Sequence, residues 1–232
     1  MREIDLQLQC PDISDTFRVR QIAAMFDLDP AAHTRHHVLA SVPDLSDPWQ
    51  IGAIVGPSGS GKTALAKAAF GRALLAARIW PANKAVIDCM GIYPIRRIVD
   101  ALTAVGLGSP PAWLKPHRLL STGQQFRCEL AAAMLEGKSL VAIDEFTSTL
   151  DRNVARTVSL ALSRSIRRGQ FGSRLVAVTC HEDILPWLRP DWVLDLSPRA
   201  GRDQTMKHTI RKGAYPNGIH LSTVHKYWLP SN

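Results

Sequence analysis

A chain of 232 residues with 46% hydrophobic and 21% charged residues can build one large globular domain or two small ones. No apolar run approaches the roughly 18 residues needed to span a bilayer, and "MREIDLQLQCPD" puts charges where a signal peptide needs its apolar stretch, so the expectation is a cytoplasmic protein with no direct membrane insertion. The formal net charge is +8, and the cysteines Cys10, Cys89, Cys128 and Cys180 show no CxxC spacing, which reads as free intracellular thiols rather than a zinc site or disulfide frame.

Residues 3 to 10 alternate, with Ile4, Leu6, Leu8 and Cys10 on one face, and predict a half-buried antiparallel strand. "RQIAAMFDL", residues 20 to 28, reads as a short helix stopped before Pro30. Residues 31 to 49 are loop-like, although "HHVLASV" suits a strand. From "WQIGAIVG" onward the character is that of a buried parallel sheet, with Ile51, Ala53, Ile54 and Val55 bounded by glycine. Similar runs recur at 85 to 88 (AVID), 139 to 144 (SLVAID), 175 to 180 (LVAVTC) and 192 to 196 (WVLDL). Helical patterns lie between them, at 62 to 77, 94 to 105, 124 to 136 and 152 to 168. Strands alternating with helices predict an α/β fold with a mainly parallel sheet.

"GPSGSGKT" matches GxxxxGK[ST], between an apolar strand and the helical run "ALAKAAFGRALLAA". Its residues Gly56, Pro57, Ser58, Gly59, Ser60, Gly61, Lys62 and Thr63, with Ala64 at the helix start, are the candidate phosphate cradle. The glycines let successive backbone N–H groups turn toward a β-phosphate, and the positive helix end faces the same anion. Lys62 would bridge the β- and γ-phosphates of ATP, and the Thr63 hydroxyl would hold Mg²⁺. "SLVAIDEF" delivers Asp144 to a strand's carboxyl end, within reach of the Mg²⁺ shell, and Glu145 follows as the candidate general base.

The ordered phrases "LSTGQQ" (residues 120 to 125), "STLD" (148 to 151) and His181 after "LVAVTC" make the chain resemble the ABC-type ATPases over roughly residues 36 to 196. The resemblance implies a P-loop NTPase fold with an N-terminal antiparallel β part and a short helical subdomain. In that frame residues 1 to 50 are N-terminal strands and helix, 51 to 90 and 137 to 198 the nucleotide-binding core, 91 to 136 the helical subdomain with the signature, and 199 to 232 a basic tail, all in one domain. By itself the signature is a good helix start, with Ser121 and Gln124 as a capping box and Phe126, Leu130 and Met134 on the buried face. The resemblance further implies that Ser121, Thr122, Gly123 and Gln124 meet ATP held by a second copy of the chain, in a head-to-tail homodimer. Asp151 would complete that site, and His181 would orient the attacking water.

Certain residues depart from the family pattern. Thr122 stands where a glycine is usual. Residues 64 to 123 contain no glutamine, so no glutamine loop is legible, and Asp88, at the end of "AVID", is the nearest substitute as a water or Mg²⁺ contact. The candidates nearest the adenine-stacking position are His36 and His37, with Phe26 too early. "SPPAWLKPHRLLSTGQQFR", "DEFTSTLDR" and "CHEDILPWLRPDWVLDL" are similar to a soluble ABC-type group from bacteria, phages and mobile elements, some fused to an acetyltransferase-like domain with a proposed part in DNA modification. The chain ends at "VHKYWLPSN", about where that domain would begin, so the expectation is that it is absent or a separately encoded partner.

Residues 199 to 232 carry Arg199, Arg202, Lys207, Arg211, Lys212 and Lys226 against Asp203, a net +5. A second basic stretch runs from Arg164 through Arg167 and Arg168 to Arg174. A solvated surface and a polyanion-binding surface both account for such runs; with few aromatics in the tail, phosphate contact suits it better than base stacking. The leading reading is a soluble ABC-type ATPase that hydrolyses Mg-ATP to drive a DNA-associated process. The alternatives are the ATP-binding subunit of an ABC transporter and a nucleotide-dependent switch with negligible turnover.

Overall fold

The computed structural model describes residues 1–9, 14–28, 35–197, 205–208 and 210–212. The expected N-terminal strand is β1 (Arg2–Gln9), and "HHVLASV" joins β2 (Arg35–Val42), which pairs antiparallel to it. Between them α1 (Phe17–Met25), capped by Thr16, whose side chain accepts the Val19 N–H, starts three residues before the start the sequence suggests. The apolar runs at 51, 139, 175 and 192 form β3 (Ile51–Val55), β4 (Leu140–Ile143), β5 (Arg174–Thr179) and β6 (Trp192–Asp195). The strands run β4-β5-β3-β6 in parallel, and β8 (Ile210–Lys212) adds an antiparallel edge. β7 (Thr205–His208) pairs in parallel with β2, so the start of the basic segment contributes to both sheets. Most of that segment, with Tyr215, Tyr227 and Trp228, lies outside the described residues.

The core sheet is buried on both faces, which is why its strands read as unbroken apolar runs. Val141, Ile143, Leu175 and Ala177 point into one cluster, shared with α3 (Ile95–Ala104), α5 (Thr122–Leu135) and α6 (Arg152–Arg167). Leu140, Ala142, Val176 and Val178 point the other way, against α2 (Lys62–Phe70) and Val38, Ala40 and Val42 of β2. Trp192, only 1% exposed, lies in this second cluster and meets Trp49 edge-on with ring centres 5.5 Å apart. Its indole also explains Gly52: a Cβ there would lie 2.1 Å from the ring, so any side chain at this strand position would displace the tryptophan. α4 (Pro110–Trp113) and α7 (Leu185–Leu188) are single turns.

One expected strand is absent. "AVID" forms a 3-10 turn, Val86–Cys89, and its apolar residues serve the helical part, where Val86 and Met90 are buried with Ile98 and Leu102. The edge of the sheet is filled earlier. α2 stops at Phe70 rather than near 77, a 3-10 turn covers Gly71–Ala73, and Leu74 then pairs in parallel with Ala142 while the Leu75 N–H donates to the Ala142 carbonyl at 2.7 Å. A short apolar run satisfies a strand or a helical core equally well, and here tertiary packing decided. No described helix is long and apolar enough to cross a membrane.

Candidate nucleotide-binding site

The register of the parallel strands builds the site. Val55 lies opposite Thr179, Ala53 opposite Ala177, and Ala177 opposite Ile143, so the loops after β3, β4 and β5 leave from one edge. This edge gathers residues 56 to 64, Asp144, Glu145 and His181. β5 stands between β3 and β4, which sets Asp144 about 10 Å across the sheet from the strand that feeds the phosphate loop.

The loop backbone is that of an anion cradle. Gly56, Gly59 and Gly61 have φ of 148°, 80° and 87°, values that side-chain-bearing residues rarely adopt. A Cβ on Gly56 would also stand 3.0 Å from Ser60 Oγ and 3.1 Å from Leu196. Gly61 begins α2 without any side-chain cap, leaving the first N–H groups of the helix without an intrahelical partner. Lys62 is 6% exposed, and its Nζ donates to the Pro57 carbonyl at 2.7 Å. It has no acidic partner among the described residues. A buried ammonium balanced only by a carbonyl is costly, and an anion at the loop offsets that cost.

Asp144 is half-buried and its carboxylate accepts the Glu145 N–H at 3.0 Å. Glu145 itself has φ 51° and an exposed side chain. Its carbonyl accepts the Ser148 hydroxyl at 2.8 Å and the Ser148 N–H at 3.0 Å, and the next N–H, of Phe146, donates to Val178 on β5. Phe146 is fully buried, and Thr147 repeats the left-handed conformation at φ 62°. Left-handed backbone at non-glycine residues costs about 1 kcal/mol or more each and persists only where the surroundings hold it. Here it is held by the Ser148 bonds to the Glu145 carbonyl and by the Phe146–Val178 bond.

His181 follows β5, half-buried, its N–H donating to Thr179 Oγ1 at 3.1 Å. Asp151 caps α6 by accepting the Asn153 N–H at 2.8 Å. The next residue, Arg152, donates Nε to Asp183 at 2.8 Å, tying the start of α6 to the His181 loop. The sequence reading missed this pair, which only the strand order brings together.

Ser121 and Gln124 form the expected capping box: Ser121 Oγ accepts the Gln124 N–H at 3.3 Å, and Gln124 Oε1 accepts the Ser121 N–H at 3.0 Å. Thr122 is exposed at the first position of α5. Gly123 faces Leu150 and Val154, and a Cβ there would stand 3.2 Å from Val154. The signature thus sits against the "STLD" turn and the start of α6. Leu130 and Met134 are buried as expected, and Phe126 packs edge-on to Phe146 at 6.0 Å. A second unanticipated cluster ties the segment after Leu75 to this helix. Trp80 stacks on His117 with ring centres 4.4 Å apart and donates its indole N–H to Glu129 of α5, while the Arg78 guanidinium lies 5.7 Å from the centre of its ring. Burial pushes the Glu129 carboxyl up and holds the His117 imidazole below its ordinary range.

Asp88 does not reach a strand end. It lies exposed on the 3-10 turn with its N–H donating to the Ala85 carbonyl, and the segment that reaches the Asp144 strand is the one after Leu74. The strand-terminal position proposed for a Mg²⁺ contact is therefore not realised. His37 is engaged by Asp5 at 2.5 Å, Phe26 is 63% exposed, and the His36 side chain lies outside the described residues. Cys128 is buried with its thiol pushed up to about 12, Cys180 is exposed, and the described cysteines are unpaired.

A phosphate loop between a parallel strand and a helix, with an acid strand one strand removed, defines a P-loop α/β fold. Neither protein-family models nor curated proteins match the chain. Solved structures do. The dimeric MJ0796, a bacterial ABC transporter cassette, superposes with a TM-score of 0.54 at 14% identity, covering 71% of this chain and 88% of that one. Its dimeric post-hydrolysis state, bound to ADP and Pi, gives 0.54 at 14% identity over 75% and 94%. CbiO1 of Clostridium perfringens, part of the ABC transporter complex CbiONQ, gives 0.52 at 18% identity over 72% and 80%. The chain has the fold of an ABC ATP-binding cassette.

Proposed function

We propose that this protein is an ABC-type ATPase that binds Mg-ATP, closes around it as a head-to-tail homodimer and hydrolyses it. The observation that carries the reading is Lys62, a buried cation whose described hydrogen bond goes to a loop carbonyl at the mouth of an uncapped helix. In the proposed site Lys62 exchanges Pro57 for phosphate oxygens, and the N–H groups of residues 58 to 64 close on the anion. No described group of three or more His, Cys, Asp or Glu could hold a metal alone. One carboxylate and one hydroxyl suit Mg²⁺ completed by phosphate and water oxygens, so Asp144 and Thr63 are the residues that would hold it. Bound there, it neutralises charge developing on the phosphates.

Glu145 takes a proton from water, whose oxygen attacks the γ-phosphorus. The bond from that phosphorus to the β–γ bridging oxygen breaks, leaving ADP and phosphate. His181 positions the water, and Ser121, Thr122, Gly123, Gln124 and Asp151 of a second copy enclose the nucleotide. The ADP- and Pi-bound dimer among the structural neighbours supports this arrangement. Residues 1 to 232 would then form one cassette domain, the basic segment 199 to 232 entering it through β7 and β8. That segment's +5 charge supports a DNA-associated process, with Mg-ATP turnover as its drive.

A second reading, the ATP-binding subunit of a transporter, is favoured by the transporter cassettes among the neighbours. It predicts co-purification with a membrane permease and turnover that DNA leaves unchanged. The direct test of nucleotide binding is calorimetry on Lys62→Ala. Losing a charged hydrogen-bond donor costs about 1.5–3 kcal/mol, roughly 10- to 150-fold in Kd for ATP. An unchanged Kd sinks the phosphate-loop assignment.

A further inference from the structure

The outward face of α6 carries a ridge of arginines that the nucleotide site does not use. Arg152, Arg156, Leu160, Arg164 and Arg168 follow one another at four-residue spacing, each step advancing about 6 Å along the helix. Residues 152 to 174 contain six arginines and no Asp or Glu. Asp183 takes Arg152, and Asp191 takes Arg167 at 2.9 Å. Arg156, Arg164, Arg168 and Arg189 are exposed and have no ion-pair partner among the described residues. Arg189 closes α7 in the left-handed conformation, φ 53°. It lines a cavity of about 320 Å³ together with Leu160, Arg164, Arg168 and the half-buried Trp187, over whose ring the Arg152 guanidinium lies 5.8 Å from the centre.

Cations in the last turn of a helix complement its dipole. That accounts for Arg164, Arg167 and Arg168 taken singly. It does not account for Arg156 at mid-helix, nor for Arg189 and Trp187 arriving from α7 on the same cavity. A positive groove with an aromatic side chain is the combination that tracks the backbone of a single strand and stacks an unpaired base. A duplex would meet the arginines but leave the tryptophan unused.

We propose that the α6 face, with its Trp187 cavity, is a binding surface for single-stranded nucleic acid, separate from the basic C-terminal segment. The proposal rests on the reading above only for the kind of partner. The test is fluorescence anisotropy of the full chain with a labelled oligo-dT strand and a blunt duplex of equal length, across a salt series. The variants are R156Q/R164Q/R168Q, the charge-keeping R156K/R164K/R168K, Trp187→Ala, and R211Q/K212Q in the basic segment. The triple Gln variant should lose tenfold or more in affinity for the strand, and its salt slope should fall by about 2, near 0.7 per phosphate contact on a single strand. The triple Lys variant should keep the slope, and Trp187→Ala should weaken the strand more than the duplex.

An unchanged affinity and slope in the triple Gln variant overturns the proposal, whatever R211Q/K212Q does. So does tighter binding of the duplex, equal competition by polyglutamate, or no binding of the strand by the unaltered chain. Basal ATPase is read in parallel: retained turnover in the triple Gln variant shows a folded cassette and keeps the ATPase reading separate from this one. Should the triple variant not fold, Arg156→Gln alone must lower the slope by about 0.7.

Discussion

Lys62, Glu145 and Thr122 are the residues on which the proposed chemistry turns, and each is placed by its backbone before its side chain matters. Lys62 follows Gly61 at φ 87°, and Glu145 is itself held at φ 51° by Ser148 and by the Phe146–Val178 bond. Thr122 is exposed at the start of α5, the end proposed to meet a second copy. In the proposed dimer its Cβ and methyl group would stand where a glycine would let the facing phosphate approach. Thr122→Gly is therefore expected to raise the fraction of dimer at a given ATP concentration with little change in nucleotide affinity. Sizing with light scattering at graded ATP checks this; a lower dimer fraction in the variant contradicts it. Residue identity was legible in the sequence wherever a motif fixes backbone geometry as well as chemistry. The Arg152–Asp183 pair, 31 positions apart, was not, because strand order alone brings it together.

At the scale of elements, α5 shows how local and long-range effects divide. Its start is local: the capping box needs only Ser121 and Gln124, and it forms as the spacing predicts. Ser121→Ala should cost about 0.5–2 kcal/mol of stability in chemical denaturation; a change near zero would mean the cap is not what fixes this end. The middle of α5 is long-range. Glu129 meets Trp80 and His117 from segments with no shared sequence pattern. Burial raises the Glu129 carboxyl, so the folded chain holds that proton more tightly than the unfolded chain does. This group's contribution is most favourable below its unfolded value of about 4.3 and declines as pH rises through the window up to the raised folded value. Glu129→Gln keeps an oxygen for the Trp80 N–H and removes the decline. Urea melts at acid and neutral pH should show the variant gaining stability relative to wild type as pH rises; a constant difference contradicts it. The misread "AVID" belongs at this scale too. Val86 satisfies its apolar demand among α3 and α5 residues, and no local signal separates that from a place in the sheet.

At the scale of the molecule, the alternation of apolar runs and helices made the α/β class legible, and the phosphate-loop motif made the edge of the candidate site legible. The order β4-β5-β3-β6-β8 was not, since parallel neighbours carry no turn between them to declare the pairing. Nor was the return of residues 205–208 to β2, which the charge of that segment concealed. The central claim is that ATP sites are completed by a second copy and emptied by Glu145. Glu145→Gln should lower turnover about 10²- to 10⁴-fold while leaving ATP bound. The decisive measurement is the mass of Glu145→Gln in solution with and without Mg-ATP. The account predicts monomer without nucleotide and a stable dimer holding ATP with it. A protein that binds ATP yet remains monomeric in that variant would contradict the claim.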